Sequence, residues 1–453
     1  MKRVMSMMAM ALTSTLAIGC SASMSGEAPM HTGAATANEG GENTMNTSPQ
    51  GGAVAPPTSP PPSIDPETAT DDRYEAVGTN AFVLAASDPM STFAADVDTA
   101  SYDIFRRDVA EFQRLPHPDS VRLEEFVNAF SYAYDAPEWG EEHPFAINLE
   151  AAASPFAESN LVQVGIQGLT IPDSEKKPGN LVFLVDVSGS MTGANKLSLV
   201  KVVLEETLAA LAPTDLVSIV TYASEEEVRL APTPVSHAET ILAVINGLSA
   251  GGSTAGAAGI QMAYEQAESA YIEGGINHVI LCTDGDFNVG ISDDDELVAF
   301  IEDKRESGVT LTALGFGSGN LNDAMMEKVS NAGNGFYSVV ATEDQAIAYA
   351  HTKLLNTTNL IAKDVKIQVQ FNPDHVLAYR LLGYENRAIA DEDFTNDAVD
   401  AGEVGSGHSV TALYEVVLTG EAIPAPEGAR IRISTVNGLG DDVGGAYNPI
   451  AVA

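Results

Sequence analysis

The chain has 453 residues and a formal charge of −41, from 22 Lys and Arg against 63 Asp and Glu. That balance excludes a basic nucleic-acid-binding face, because phosphate binding needs clustered Lys and Arg. It is compatible with metal cations, basic partners, a salty habitat or plain solubility. Hydrophobic residues at 45% supply a sizeable core, the length suggests two or three structural units, and two cysteines, Cys20 and Cys282, build no disulfide framework.

Lys2 and Arg3 precede an apolar run from Val4 to Ile18, too short for an ordinary membrane-spanning helix and typical of a leader. The run ends Leu16-Ala17-Ile18-Gly19-Cys20. Small residues before a cysteine resemble a bacterial lipobox, although the leucine stands four residues before the cysteine rather than three. The expectation is a lipoprotein signal peptide over 1–20, lipidation at Cys20 and a lipid-anchored protein of the cell envelope. An ordinary cleaved secretory signal is the alternative. Ser21 after the cysteine implies the outer membrane in a Gram-negative cell. Residues 21–78, rich in Ser, Pro, Thr, Gly and Ala, cannot bury a core and read as a disordered tether.

An N-terminal region is expected over 79–175, helices first and strands after. Asp98 or Thr99 caps a helix whose apolar face is Ile104, Phe105, Val109 and Phe112; Asp119 caps a second, with Leu123, Phe126, Val127 and Phe130. Asp96 and Asp98 read as a cap and a strand end rather than a metal pair. "LVQVGIQGL" alternates as a strand does. From 176 to 357 strands and helices alternate. Strands are predicted at 180–186, 216–222, 277–283, 308–315 and 335–340. Helices are predicted at 194–211, 236–247, 255–272, 293–306, 321–332 and 343–355. Apolar strands between amphipathic helices imply a mostly parallel sheet covered on both faces. Over 358–453 the period becomes two, as in Val365, Ile367, Val369 and Phe371, which predicts a β-rich C-terminal region. Strands from 145–170 and 360–436 are expected to form one sandwich-like module into which the α/β unit is inserted.

"LVFLVDVSGSM" ends an apolar strand in Asp186, Ser188 and Ser190. "SAGGSTAGAAG" places Thr254 after a glycine turn, and "HVILCTDGDFNVG" places Asp284 at the end of another strand. Ligands in open parallel sheets bind beyond the carboxyl ends of the strands. All five groups are hard oxygen donors without Cys or His, which argues against zinc, copper and iron–sulfur. Short neutral hydroxyls suit a compact octahedral ion, Mg²⁺ or Mn²⁺, rather than a Ca²⁺ cage. Gly315, Gly317 and Gly319 read as a strand-to-helix turn, His278 as a structural histidine and Cys282 as a core residue.

The set Asp186, Ser188, Ser190, Thr254 and Asp284 resembles the metal-ion-dependent adhesion site of von Willebrand factor A domains. "STFAADVDTASYDIFRR", "VRLEEFVNAF", "YRLLGYENR" and "DFTNDAVDAGEVGSGHSVTALYEVV" resemble the YfbK-like bacterial lipoproteins. Phe156 stands where that family often has tryptophan, and after Ala422 the chain is shorter than relatives usually are, so the C-terminal region reads as truncated or divergent. The resemblance implies an α/β fold: a Rossmann-like A domain, with helices on both faces of a central mostly parallel sheet, flanked by a small helical N-terminal region and a β-rich C-terminal one. It implies that the serines and threonine bind the metal directly, that the aspartates often act through water, and that a partner protein supplies an acidic residue. The expected function is metal-dependent protein binding, not enzymatic. A structural or assembly role with a non-essential metal site, and a metal-assisted hydrolase, are the alternatives.

Overall fold

Strand Gly179–Asp186 is apolar from Leu181 to Val185, and all eight of its residues are buried. Such a strand needs cover on both faces. The computed structural model describes residues 72–95, 98–252, 259–285, 294–354, 359–396, 399 and 401–424. In chain order these form β1 (Val83–Leu84), β2 (Met90–Ala94), α1 (Ala100–Phe112), α2 (Leu123–Asn128), β3 (Phe145–Ala153), β4 (Asn160–Gly168) and β5 (Gly179–Asp186). There follow α3 (Leu197–Ala210), β6 (Leu216–Tyr222), β7 (Glu226–Pro234), α4 (Ala238–Gly247), α5 (Gly259–Ser269), β8 (Ile276–Thr283) and α6 (Asp294–Glu306). The last are β9 (Thr310–Phe316), α7 (Asp323–Ala332), β10 (Tyr337–Val340), α8 (Glu343–Ala348), β11 (Leu360–Gln370), β12 (Val376–Leu382), β13 (Gly402–Gly405) and β14 (Ser409–Leu418).

Six strands form one sheet in the order β10-β9-β8-β5-β6-β7. All neighbours are parallel except β6 and β7. The pleat sends Leu181, Phe183 and Val185 to one face, against α3, α4 and α8. Val182 and Leu184 go to the other, against α5, α6 and α7. Strand order reverses at β5, which lies between β6 and β8, so the ends of β5 and β8 flank the crevice where such folds take ligands.

The flanking strands build a second layer pair. One sheet runs β1-β12-β14-β4-β3 and another β13-β11-β2. β14 pairs with β4 across the whole inserted domain, Ser409 opposite Gln167 through Val416 opposite Asn160. Phe93, Ile367 and Val404 of the small sheet share a core with Val164, Tyr379 and Tyr414 of the large one. The sandwich expected from the period-two segments is therefore present among the described strands. The part of that expectation beyond residue 424 lies outside the described residues, as do Cys20, the leader, residues 21–71 of the tether, and Asp96; the start of the N-terminal region is corrected from 79 to 72, because Asp72 and Arg73 are tied to Arg107 and Leu321.

One strand is added and two local expectations are corrected. β7 was not legible, because Glu226, Glu227 and Arg229 give a polar edge strand that only its pairing with β6 defines. The first predicted strand-to-helix turn is longer: Gly189–Met191 makes a short 3-10 turn before α3 begins at Leu197. The predicted helix at 343–355 is α8 followed by a π-helical turn over Tyr349–Leu354.

The two N-terminal helices differ most from the periodicity. Val109, Phe112, Leu123 and Phe130 are exposed, while Arg107, Asp108, Glu124 and Glu125 are buried beside Ile104. Asp119 does not cap α2; Arg122 stands at the cap, and the Asp119 amide donates to His117 Nδ1. Asp98 does not cap α1, whose cap residue is Thr99; its carboxylate instead takes the Arg387 guanidinium at 2.8 Å and the Tyr337 amide at 2.6 Å. The aromatic faces meet each other instead of the core, with Tyr102 5.5 Å from Phe126 and 5.0 Å from Phe130 between ring centres. The charged face turns inward because partners distant in sequence satisfy it: Arg122 donates to Asp323 at 2.6 Å and also pairs with Glu125.

Candidate functional site

Asp186 ends β5 and is fully buried. Its Oδ1 accepts the Ser188 amide at 2.8 Å, closing a tight turn that returns Ser188 toward the carboxylate. Ser188 Oγ and Ser190 Oγ then lie 2.9 Å apart. Asp186 Oδ2 accepts the Thr283 hydroxyl at 3.3 Å, so β5 is tied to the last residue of β8. Asp284 follows immediately and is also fully buried.

The structure thus brings together four of the five predicted donors, Asp186, Ser188, Ser190 and Asp284. Thr254 lies outside the described residues. The chain leading to it does not: the Gly189 amide donates to Gly252 O at 3.0 Å and the Gly251 amide to Val187 O at 2.8 Å. The approach to Thr254 is therefore bound to the serine turn. Gly252 has φ +91° and passes Ser224 so closely that a Cβ would meet its Oγ at 2.7 Å, which reserves the position for glycine.

Burial pushes the Asp186 carboxyl up to about 6, the neighbouring Asp284 adds to the shift, and the Ser188 and Thr283 hydrogen bonds oppose it. Two buried carboxylates facing one rim need a compensating cation. Lys196, just before α3, supplies one: its ammonium is 2.8 Å from Asp284 Oδ2. Asn320, in the turn between β9 and α7, donates to Asp284 Oδ1 at 3.0 Å. Neither residue belongs to the five read from the sequence. Their only signal was position, since both sit at carboxyl-end turns of the same parallel sheet. The donors fit a small hard cation: carboxylates and hydroxyls converge, and the buried Asp186 carboxyl is strained in its charged form.

Of the remaining candidates, His278 and Cys282 separate from this rim. His278 lies in β8 with Nδ1 2.6 Å from Thr310 Oγ1, and burial depresses its ionisation to about 3. Cys282 is buried in the sheet core, which drives its thiol far above the ordinary range. Gly317 and Gly319 have φ +76° and +104° and form the turn that carries Asn320. A second acidic group, Asp98, Glu125 and Glu327, lies at the junction of the flanking segments and the α/β domain. Arg122 and Arg387 thread it, Arg387 3.8 Å from Glu327 and 2.8 Å from Asp98, so its charge is balanced by arginine.

Comparison with known proteins agrees with this layout. The family model described as "von Willebrand factor type A domain" matches residues 180–352. A model described as "von Willebrand factor" matches 68–163, and one described as "Uncharacterized protein YfbK, C-terminal" matches 356–433. The Escherichia coli K12 protein named "Uncharacterized protein YfbK" is 41% identical over 355 residues, covering 77% of this chain. The chain spans 62% of that relative's length. Among solved structures, a von Willebrand factor type A protein from Catenulispora acidiphila aligns at 16% identity and TM-score 0.39, covering 60% of this chain and 64% of that one. The conserved hypothetical protein BatB from Bacteroides thetaiotaomicron aligns at 18% identity and TM-score 0.33, covering 38% and 95%. The chain thus carries a von Willebrand factor type A domain, with the α/β sheet of this topology, between flanking segments similar to those of the YfbK protein.

Proposed function

We propose that the chain is a cell-envelope lipoprotein whose A domain binds a partner protein through Mg²⁺ or Mn²⁺, and that it is not an enzyme. The observation that carries the reading is the convergence of Asp186, Ser188, Ser190 and Asp284 on the rim where strand order reverses. Bound there, the cation would offer a Lewis-acidic position to an acidic side chain of the partner. The chain's own residues do the rest. Asp186 and Asp284 supply negative charge from a dry floor, where electrostatic attraction is strong. The serine hydroxyls add neutral donors. Lys196 cancels one of the two carboxylate charges, so a divalent ion leaves the rim with a net positive charge, which favours an anionic partner group.

A second reading is an assembly role without a required metal. Lys196 favours it, because its ammonium already balances Asp284 at 2.8 Å. The two readings part in one experiment. Purified chain is immobilised and envelope extract is passed over it with Mg²⁺, with EDTA, and over Ser190→Ala. Capture of the same protein that requires Mg²⁺ and Ser190 supports metal-dependent binding. Capture indifferent to both supports assembly without metal. Lipid anchoring at Cys20 is tested separately, by mass spectrometry of the mature N-terminus; an unmodified residue there would remove the anchor. Among the described residues no helix is long and apolar enough to cross a membrane.

A further inference from the structure

We propose that Asp72 and Arg107, which lie outside the A domain, are positioning residues for its metal site. The inference rests on the metal reading above. It starts from Asp284, both of whose carboxylate oxygens are held by side chains: Oδ2 by Lys196 and Oδ1 by Asn320. Asn320 sits in the turn of residues 317–321, which has two left-handed glycines and no secondary structure of its own. Such a turn has many conformations open to it, and little within it would keep Asn320 aimed at Asp284.

Asp72 and Arg107 remove that freedom. Asp72 Oδ1 accepts the Gly319 amide at 2.8 Å and the Leu321 amide at 2.9 Å, on either side of Asn320. Arg107 Nη1 donates to Gly317 O at 3.2 Å. The two clamp residues are themselves an ion pair, Arg107 Nη2 to Asp72 Oδ2 at 2.9 Å, and both side chains are fully shielded from solvent. Asp108 steadies the guanidinium from the same helix, at 3.0 Å from Nε. Backbone bonds extend the strap: the Arg73 amide donates to Leu321 O at 2.8 Å and the Asp323 amide to Arg73 O at 3.1 Å. On its other side the turn is pressed against Gly285, where a Cβ would meet Leu321 Cα at 2.5 Å and Asn320 O at 2.7 Å. Asn320 therefore has a single place to be, set jointly by residue 285 from within the domain and by Asp72 and Arg107 from outside it.

The consequence is that the A domain's third metal-site segment is completed by a stretch over a hundred residues upstream of it. The two segments fall in separate family matches, 68–163 and 180–352. The clamp also accounts for the inward charged face of α1, since Arg107 is buried to reach the turn rather than to fill the core. Outer hydrogen-bond partners of metal ligands commonly set affinity by about ten- to a hundredfold.

The test is Mg²⁺ calorimetry on the full chain as wild type, Asp72→Ala, Asn320→Ala and the double variant. Circular dichroism and the metal-free unfolding midpoint of each report any general loss of structure. Each single variant is expected to weaken Mg²⁺ binding by about tenfold. The double variant is expected to be no weaker than Asn320→Ala, because Asp72 acts through Asn320. If Asp72→Ala does not fold, Arg107→Lys, which keeps the charge but loses the two-sided fork, replaces it in the same cycle. Wild-type affinity in the clamp variant, or effects that multiply in the double variant, would overturn the proposal alone. Wild-type protein that gives no Mg²⁺ heat would overturn the metal reading and the proposal together.

Discussion

Asp186 carries a carboxylate into a fully buried position, where it accepts the Ser188 amide and the Thr283 hydroxyl. Its ionisation at about 6 lies above the ordinary 3.8, so between those values the folded chain keeps a proton that the unfolded chain has released. Its contribution to stability is full below about 3.8 and is lost as pH rises through about 6. His278 has the opposite sign. Folded, it ionises near 3 against an ordinary 6.5, so its contribution is present above 6.5 and is lost as pH falls through about 3. The two slopes offset one another in the wild type. Urea unfolding across pH 3–8, without metal, should separate them. Asp186→Asn should gain up to about 3 kcal/mol at pH 7 relative to wild type, since each tenfold change in an ionisation constant corresponds to roughly 1.4 kcal/mol. His278→Gln should flatten the acid side of the profile. An Asp186→Asn protein less stable than wild type at pH 7 would contradict the assigned strain.

At the level of elements, the strand ends and turns decide where the donors go. Gly285 has φ +101° and runs hard against residues 320–322. Gly285→Ala adds both a backbone penalty and an overlap, and should destabilise the protein by about 2 kcal/mol or more in equilibrium unfolding. A change within experimental error would mean that the turn is looser than described. α2 is tied to α7 by Arg122, which reaches Asp323 at 2.6 Å and Glu327 at 3.5 Å with almost no solvent exposure. Removing one partner from such a network leaves carboxylates buried without their cation. Arg122→Met should therefore cost about 3–5 kcal/mol. A loss below about 1 kcal/mol would show that the network is not needed to hold the flanking helices.

These elements also show what the sequence could and could not tell. The inner strands β5, β6, β8 and β9 were legible because apolar runs of this length between amphipathic helices have few other solutions. The rim donors were legible because Asp186, Ser188, Ser190 and Asp284 follow two of those strands directly. β7 was not, since its polar residues look like a loop until β6 supplies the hydrogen bonds. The inward faces of α1 and α2 were not, since Arg107 and Arg122 look solvent-exposed unless one knows that Asp72 and Asp323 lie beside them. Lys196 and Asn320 carry no motif; only the sheet's topology brings them to Asp284.

Over the whole molecule, the A domain is inserted between strands that pair with each other. β4 precedes it and β14 follows it, and they run together over eight matched positions. Both ends of the inserted domain are thereby fixed to one sandwich, and the turn that carries Asn320 is braced from the N-terminal segment as well. A cation that binds this folded rim and not the unfolded chain must raise stability: by mass action about 2.7 kcal/mol at a hundredfold excess over its dissociation constant. The unfolding midpoint should accordingly rise with Mg²⁺ and fall back with chelator. The most direct test of the central claim is equilibrium titration of the metal-free full chain with Mg²⁺, beside Asp186→Ala. Saturable binding of one ion per chain that disappears in the variant is the predicted result. No binding to the wild type, or equal binding to Asp186→Ala, would contradict it.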